Sequence, residues 1–216
     1  MVKKKYVILG ASRGLGQSLY KNLASQGFSE FLLVSRKINS DHILCEGTEI
    51  FQSDFSKNEN IIALYDRILN FNPHYIVYCA GGGPYGAYSA KKWSDHVWAL
   101  QVNFLFPAEL IHKLLNSASD LRNLHSLTYI GSKIAENQPD PLASSYAAAK
   151  HAMRGLITTL QQEKSTSFAV KLFSPGYMET DLLPLNSSPR LQNKAVSPVE
   201  VASQLVSFID SPELLS

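Results

Sequence analysis

The chain has 216 residues, 45% of them hydrophobic and 18% charged, with 20 Lys and Arg against 18 Asp and Glu. That is enough chain to bury a core, and it is too apolar for a disordered polymer. A net charge of +2, with Lys3-Lys4-Lys5 as the one basic run and read as a frayed terminus, offers no face for nucleic acid. Two distant cysteines, Cys45 and Cys79, exclude a disulfide scaffold and a cysteine zinc site, and the histidines lack ligand spacing, so no metal is expected. No stretch approaches the ~20 apolar residues of a membrane span or the ~7–15 of a secretory core, so a soluble, cytoplasmic protein is expected, with no membrane partner.

Short apolar runs rich in β-branched and aromatic residues, at 7–9, 31–34, 49–51, 75–79, 127–130 and 169–173, read as buried strands. Helical patterns lie between them near 14–26, 58–70, 94–117 and 145–164, and a last helix near 198–209 has Ser197 as N-cap and Pro198 in its first position. This alternation predicts an α/β fold, a doubly wound parallel sheet of about six strands with helices on both faces, in a single domain spanning 1–216. The segments 81–92 and 174–197 read as loops beyond strand C-termini, the edge at which such sheets bind ligands.

Gly10-Ala-Ser12-Arg13-Gly14-Leu15-Gly16 joins the first strand to the first helix. Glycines there let the backbone approach a pyrophosphate, and the helix N-terminus favours the negative charge, so a dinucleotide is the expected ligand. The same stretch also matches G-x-S-x-G, a serine-hydrolase elbow with Ser12 as nucleophile. Only nine residues precede it, however, and no Asp-then-His pair stands out downstream, the last histidine being His151. After the second strand come Ser35 and Arg36, where a carboxylate would select an unphosphorylated ribose. With Arg13 in the glycine loop, two guanidiniums are placed to clamp a 2′-phosphate, which points to NADP (NADPH) as cofactor.

Tyr146-Ala-Ala-Ala-Lys150 sets a phenol and an ammonium on one helix face, and Ser132 stands fourteen residues upstream just past a strand end. A second match, Tyr88 to Lys92, has no such serine before it and reads as accidental. With these residues the chain resembles the short, single-domain branch of the short-chain dehydrogenase/reductase (SDR) family, over about residues 5–182. Gly10, Gly14 and Gly16 resemble its G-x-x-x-G-x-G loop, and Asp54 its adenine-contacting acid. Asn103 resembles its active-site Asn, Ser132, Tyr146 and Lys150 its catalytic trio, and Pro175-Gly176 with Thr180 the turn that holds the nicotinamide carboxamide. The resemblance implies a Rossmann-like fold and hydride transfer between nicotinamide and a carbonyl or alcohol substrate. In that scheme Tyr146 is the acid or base, Lys150 favours its phenolate and bonds the ribose, Ser132 holds the substrate oxygen, and Asn103 anchors a water. Ala80, Gly81 and Gly82 fall in the family's cofactor-binding turn after the fourth strand.

The sequence departs from the family pattern at Tyr78-Cys79-Ala80-Gly81, where Asn-Asn-Ala-Gly is usual, and offers no candidate for a final seventh strand. Substrate-pocket candidates are Pro84, Tyr85, Lys133, Ile134, Tyr177, Leu182 and Leu183. Apolar residues wrap most of the 94–117 helix, which together with the resemblance implies a homodimer. A non-catalytic, nucleotide-binding regulator of the same fold is the alternative to an enzyme.

Overall fold

The computed structural model describes residues 3–27, 29–163 and 167–211. Six parallel strands form one sheet: β1 (Lys4–Leu9), β2 (Ser29–Val34), β3 (Thr48–Phe51), β4 (Tyr75–Tyr78), β5 (Ser126–Ile130) and β6 (Ala169–Phe173), in the order β3-β2-β1-β4-β5-β6. The order reverses at β1, so each half winds its crossovers onto a different face and a crevice opens between β1 and β4.

The period-2 alternation of the strands sorts the core into two layers. Val7, Leu9, Leu32, Ile76, Tyr78, Leu127 and Tyr129 face α2 (Asn60–Phe71), α4 (Phe106–Asn116) and α5 (Ser144–Leu160). Tyr6, Ile8, Phe31, Leu33 and Val77 face α1 (Gly14–Ser25) and a C-terminal helix, α7 (Pro198–Asp210). Most of these strand side chains are completely buried, as a sheet covered on both faces requires.

Element ends are set by local chemistry. Ser197 Oγ accepts the Val199 N–H at 3.2 Å and Pro198 opens α7, as its sequence predicts. Lys171, buried in β6, donates to the carbonyls of Ile209 and Ser211 and so caps the other end of α7 from the sheet. The basic run at the N-terminus is not frayed. Lys4 and Lys5 begin the central strand β1, where Lys4 pairs with Asp210 at 2.9 Å and Lys5 donates to Phe71 O at 3.0 Å, closing α2.

The helix expected at 94–117 is interrupted. α3 (Trp93–Leu100) passes through a π-helical turn, Gln101–Leu105, before α4 begins. The loop expected at 174–197 contains a short helix, α6 (Ser188–Leu191), and the final residue of the helix expected at 145–164 lies outside the described residues. Among the described residues the sheet has six strands, and no helix is long and apolar enough to cross a membrane.

Leu205, fully buried in α7 against the sheet, provides a test of this layer. Leu205→Ala is expected to cost about 2–5 kcal/mol in urea denaturation, whereas Leu191→Ala, 73% exposed, should stay within about 0.5 kcal/mol of wild type.

Candidate active site

The C-terminal ends of β1, β4, β5 and β6 surround a cavity of about 310 Å³. On one side is the turn from β1 into α1. Gly10 has φ +94, and a Cβ there would lie 2.6 Å from Ala80 N. A Cβ on Gly16 would lie 2.3 Å from Gly10 O, so this glycine packs helix against turn and does not line the cavity. Gly14, at φ +56, faces Thr180 Cγ2, to which its missing Cβ would come within 3.4 Å. Gly10, Ser12, Arg13, Gly14 and Leu15 thus form one wall, and Pro175, Gly176 and Thr180 the opposite one. The second wall is held by Lys133 N–H donating to Pro175 O at 3.0 Å.

At the far end of the cavity lie Ser35, Arg36 and Asp54. Ser35, itself buried, donates through Oγ to Ser12 Oγ at 2.7 Å and ties the second strand to the glycine turn. Burial raises the Asp54 carboxyl, but the backbone and hydroxyl of Ser56, then Arg36 and Lys57, outweigh it and hold the group below its ordinary value. The exposed Arg36 is open to a ligand. Arg13 is not: its Nη1 meets Asp181 Oδ2 at 3.0 Å, bridging the two walls. The clamp of two arginines expected from sequence therefore requires that this exposed pair open first. Asp181 could not be foreseen, since nothing local marks a residue 168 positions away as a partner.

The hydroxyl of Ser12 is engaged with Ser35, and no histidine lines this cavity, so a hydrolase elbow would lack its base. Tyr88 sits exposed in a short 3₁₀ turn away from the cavity, in keeping with an accidental match.

At the near end, Ser132, Tyr146 and Lys150 come together. Ser132 ends the β5 turn, where its Oγ accepts Ile134 N–H at 3.3 Å. Tyr146 and Lys150 lie one helical turn apart on α5, with Lys150 Nζ 5.4 Å from the Tyr146 ring centroid. Burial pushes the Tyr146 phenol up to about 12, against a hydrogen bond with Ser132 that lowers it. Lys150, 3% exposed, is brought down to about 7 by burial, with Cys79 opposing. Burial pushes the neighbouring Cys79 thiol up to about 12, so it stays uncharged.

Asn103 is completely buried in the π-helical turn. Its amide donates to Gly82 O and Ala99 O, both at 2.6 Å, and its Oδ1 accepts Gly82 N–H at 3.2 Å. Its side chain is thus spent on holding the loop after β4, and its backbone carbonyl accepts the Tyr129 hydroxyl at 2.6 Å. Ala80 and Gly81 line the larger cavity. Gly82 lines a second cavity of about 110 Å³.

That second cavity adjoins the first. Ser132, Tyr146, Gly176 and Thr180 line both, and all seven pocket candidates from sequence line the second. At its edge Tyr177 donates to Asp140 Oδ2 at 3.3 Å, and Asp140 also raises Tyr85 after burial has done so. Sequence reading missed Asp140, Gln138 and Met178, which lie in loops without periodic signal, and Trp98, which packs against Gly82.

The short chain dehydrogenase family model matches residues 4–190, and the chain belongs to that family. It is 25% identical over 201 residues to the PIGF/3-ketodihydrosphingosine reductase fusion protein of Schizosaccharomyces pombe, covering 84% of this chain and 40% of that protein. The chain spans between 40% and 63% of the length of the curated relatives it matches. Among solved structures it is similar to a short chain dehydrogenase family protein from Francisella tularensis, with TM-score 0.81, 19% identity and coverage of 99% and 93% of the two chains. It is also similar to an alcohol dehydrogenase from Thermococcus sibiricus complexed with 5-hydroxy-NADP, with TM-score 0.79, 22% identity and coverage of 97% and 92%.

The glycine turn makes a direct prediction. Gly10→Ala places a side chain at positive φ and against the Ala80 backbone. It should cost at least about 1–2 kcal/mol in denaturant unfolding, whereas Gly155→Ala, in α5 with open space at its Cβ, should not destabilise.

Proposed function

We propose that the chain is an NADP-dependent oxidoreductase that interconverts a carbonyl and an alcohol on a small molecule, with Tyr146 as acid or base. The observation that carries this reading is that Tyr146 and Ser132 stand where the two cavities meet, with Lys150 beside them in the larger one. The larger cavity fits a dinucleotide. Its walls are the glycine turn at a helix N-terminus and the Pro175–Thr180 segment, and side chains on Gly10, Gly14 or Gly81 would be strained or would crowd it. Gly10, Ser12, Gly14 and Leu15 would hold the pyrophosphate, with Gly16 supporting the turn. Ser35, Arg36 and Asp54 would hold the adenosine end. Ala80, Gly81, Pro175, Gly176, Thr180, Tyr146 and Lys150 would hold the nicotinamide half. When bound, the nicotinamide supplies or accepts the hydride.

The remaining work belongs to the protein. Ser132 orients the substrate oxygen toward Tyr146. In reduction the Tyr146 phenol, protonated at neutral pH, gives its proton to that oxygen, and the Lys150 ammonium stabilises the phenolate left behind. In oxidation the same proton returns to Tyr146. The small cavity, lined by Pro84, Ile134, Leu182 and Leu183, suits a substrate with an apolar body.

Cofactor choice rests on Arg36, with Arg13 recruited from Asp181, and on the absence of a carboxylate at Ser35. NADPH is expected to bind more tightly than NADH in a fluorescence titration, and Arg36→Asp to reverse the order. Equal affinities would contradict the choice.

Two kinetic outcomes are expected once a substrate is found. Tyr146→Phe should lose about 10²–10⁴-fold in turnover with cofactor affinity nearly unchanged, and wild-type turnover in this variant would overturn the assignment. The kcat/KM for reduction should also fall as pH rises through about 7. Lys150 is charged below that point and neutral above it, and kcat/KM reports the free protein.

Trp93, Val97 and Leu105 leave an exposed apolar face on the α3–α4 helix. We read it as a twofold contact that makes a homodimer. Light scattering should give a mass near twice 23.9 kDa, and a monomer mass would exclude the pairing.

A further inference from the structure

The π-helical turn leaves two carbonyls in need of donors. Phe106 N–H reaches back five residues to Gln101 O, and Pro107 has no N–H to give. The carbonyls of Val102 and Asn103 each receive a tyrosine hydroxyl from the sheet beneath. Tyr78 donates to Val102 O at 2.8 Å, and Tyr129 donates to Asn103 O at 2.6 Å. The two tyrosines are register partners on β4 and β5, stacked with centroids 5.6 Å apart, and both are buried. In all this they are alike. They differ in one respect: Lys150 Nζ donates to Tyr129 Oη at 2.8 Å, and to Ile130 O at 2.7 Å.

We propose that Tyr129 is a positioning residue whose hydroxyl ties the Lys150 ammonium to the opened Asn103 carbonyl. The Asn103 carbonyl carries no proton, so the Tyr129 proton is committed to it and the hydroxyl turns a lone pair toward Lys150. That lone pair accepts only from a nitrogen bearing hydrogen and favours its charged form. With Ile130 O taking a second N–H, the ammonium is fixed, and its remaining N–H is left for the ligand cavity. The titratable groups facing Lys150 are Cys79 beyond β4, Tyr129 on β5 and Tyr146 on its own helix, and Tyr78 and Tyr146 face Tyr129. The two phenols in the sheet are raised by burial, which keeps both hydroxyls protonated as the arrangement requires.

The inference builds on the reading of Lys150 as the charged neighbour of Tyr146, but its test needs no turnover. In the ligand-free protein labelled with ¹³C-lysine, the Cε resonance of Lys150, assigned through Lys150→Arg, reports its titration. Tyr129→Phe keeps the ring over which Nζ lies at 4.4 Å and removes only the hydroxyl. The Lys150 midpoint should then fall by about one pH unit, a tenfold loss of proton affinity. Tyr78→Phe, which strips the sister carbonyl of its donor without touching Lys150, should leave the midpoint in place. Both variants should lower thermal stability alike. Equal midpoints in the two variants would overturn the proposal. If Tyr129→Phe does not fold, the wild-type protein still decides. The Tyr129 Cζ resonance should move through the Lys150 midpoint, and a flat Cζ would overturn the bridge. Failure of the oxidoreductase reading would appear separately, as absence of cofactor oxidation in a protein whose Lys150 and Tyr129 still titrate together.

Discussion

Lys150 carries its ammonium to the C-terminal edge of the sheet, 3% exposed and bonded to Tyr129 Oη and Ile130 O. Removing such a charge from water costs several kcal/mol unless acceptors are already in place. Much of the surrounding structure supplies them. β5 ends so that the Ile130 carbonyl turns inward, the π-helical turn aligns the Asn103 carbonyl to accept a hydrogen bond from the Tyr129 hydroxyl, and the Asn103 side chain locks the Gly82 segment beside it. The low value of Lys150, about 7, places its charge where neutral pH controls it.

The departure at the end of β4 from the family's usual residues goes with the same constraint. Asparagines at a strand end satisfy neighbours through short amides. Here Tyr78 reaches further, across to the helix at Val102, and Cys79 fills space without adding a charge, since burial keeps its thiol protonated. The sheet's polar ties are thereby moved from strand-to-strand links to strand-to-helix links, and Pro107 makes room for them by withholding an N–H.

Most of the fold was legible because it rests on local signals. Short apolar runs marked five of the six strands within two residues and missed the first three residues of β1, where Lys4 and Lys5 hid the strand, and Ser197-Pro198 marked the start of α7. The glycine turn, Ser132, Tyr146 and Lys150 were legible because their spacing between a strand and a helix carries meaning. What sequence missed depends on long-range partners. The pairing of Arg13 with Asp181, the capping of α2 by Lys5 and the hydroxyl bridge from Tyr129 each join residues that no local pattern connects. The π-helical turn was hidden for a different reason. The apolar residues of 94–117 look like one overfull amphipathic helix, and only the geometry reveals that a shift of phase at Gln101–Leu105 buries Val102 and Asn103 while leaving Val97 and Leu105 outside.

The proposed activity requires that the larger cavity hold a nicotinamide dinucleotide against Tyr146 and Lys150. The most direct measurement is a fluorescence titration of the purified protein with NADPH, repeated with Lys150→Met. Saturable binding to one site per chain is expected in the wild type, and at least about tenfold weaker binding in the variant, as loss of a charged hydrogen bond implies. Absence of saturable binding, or identical affinities in the two proteins, would contradict it.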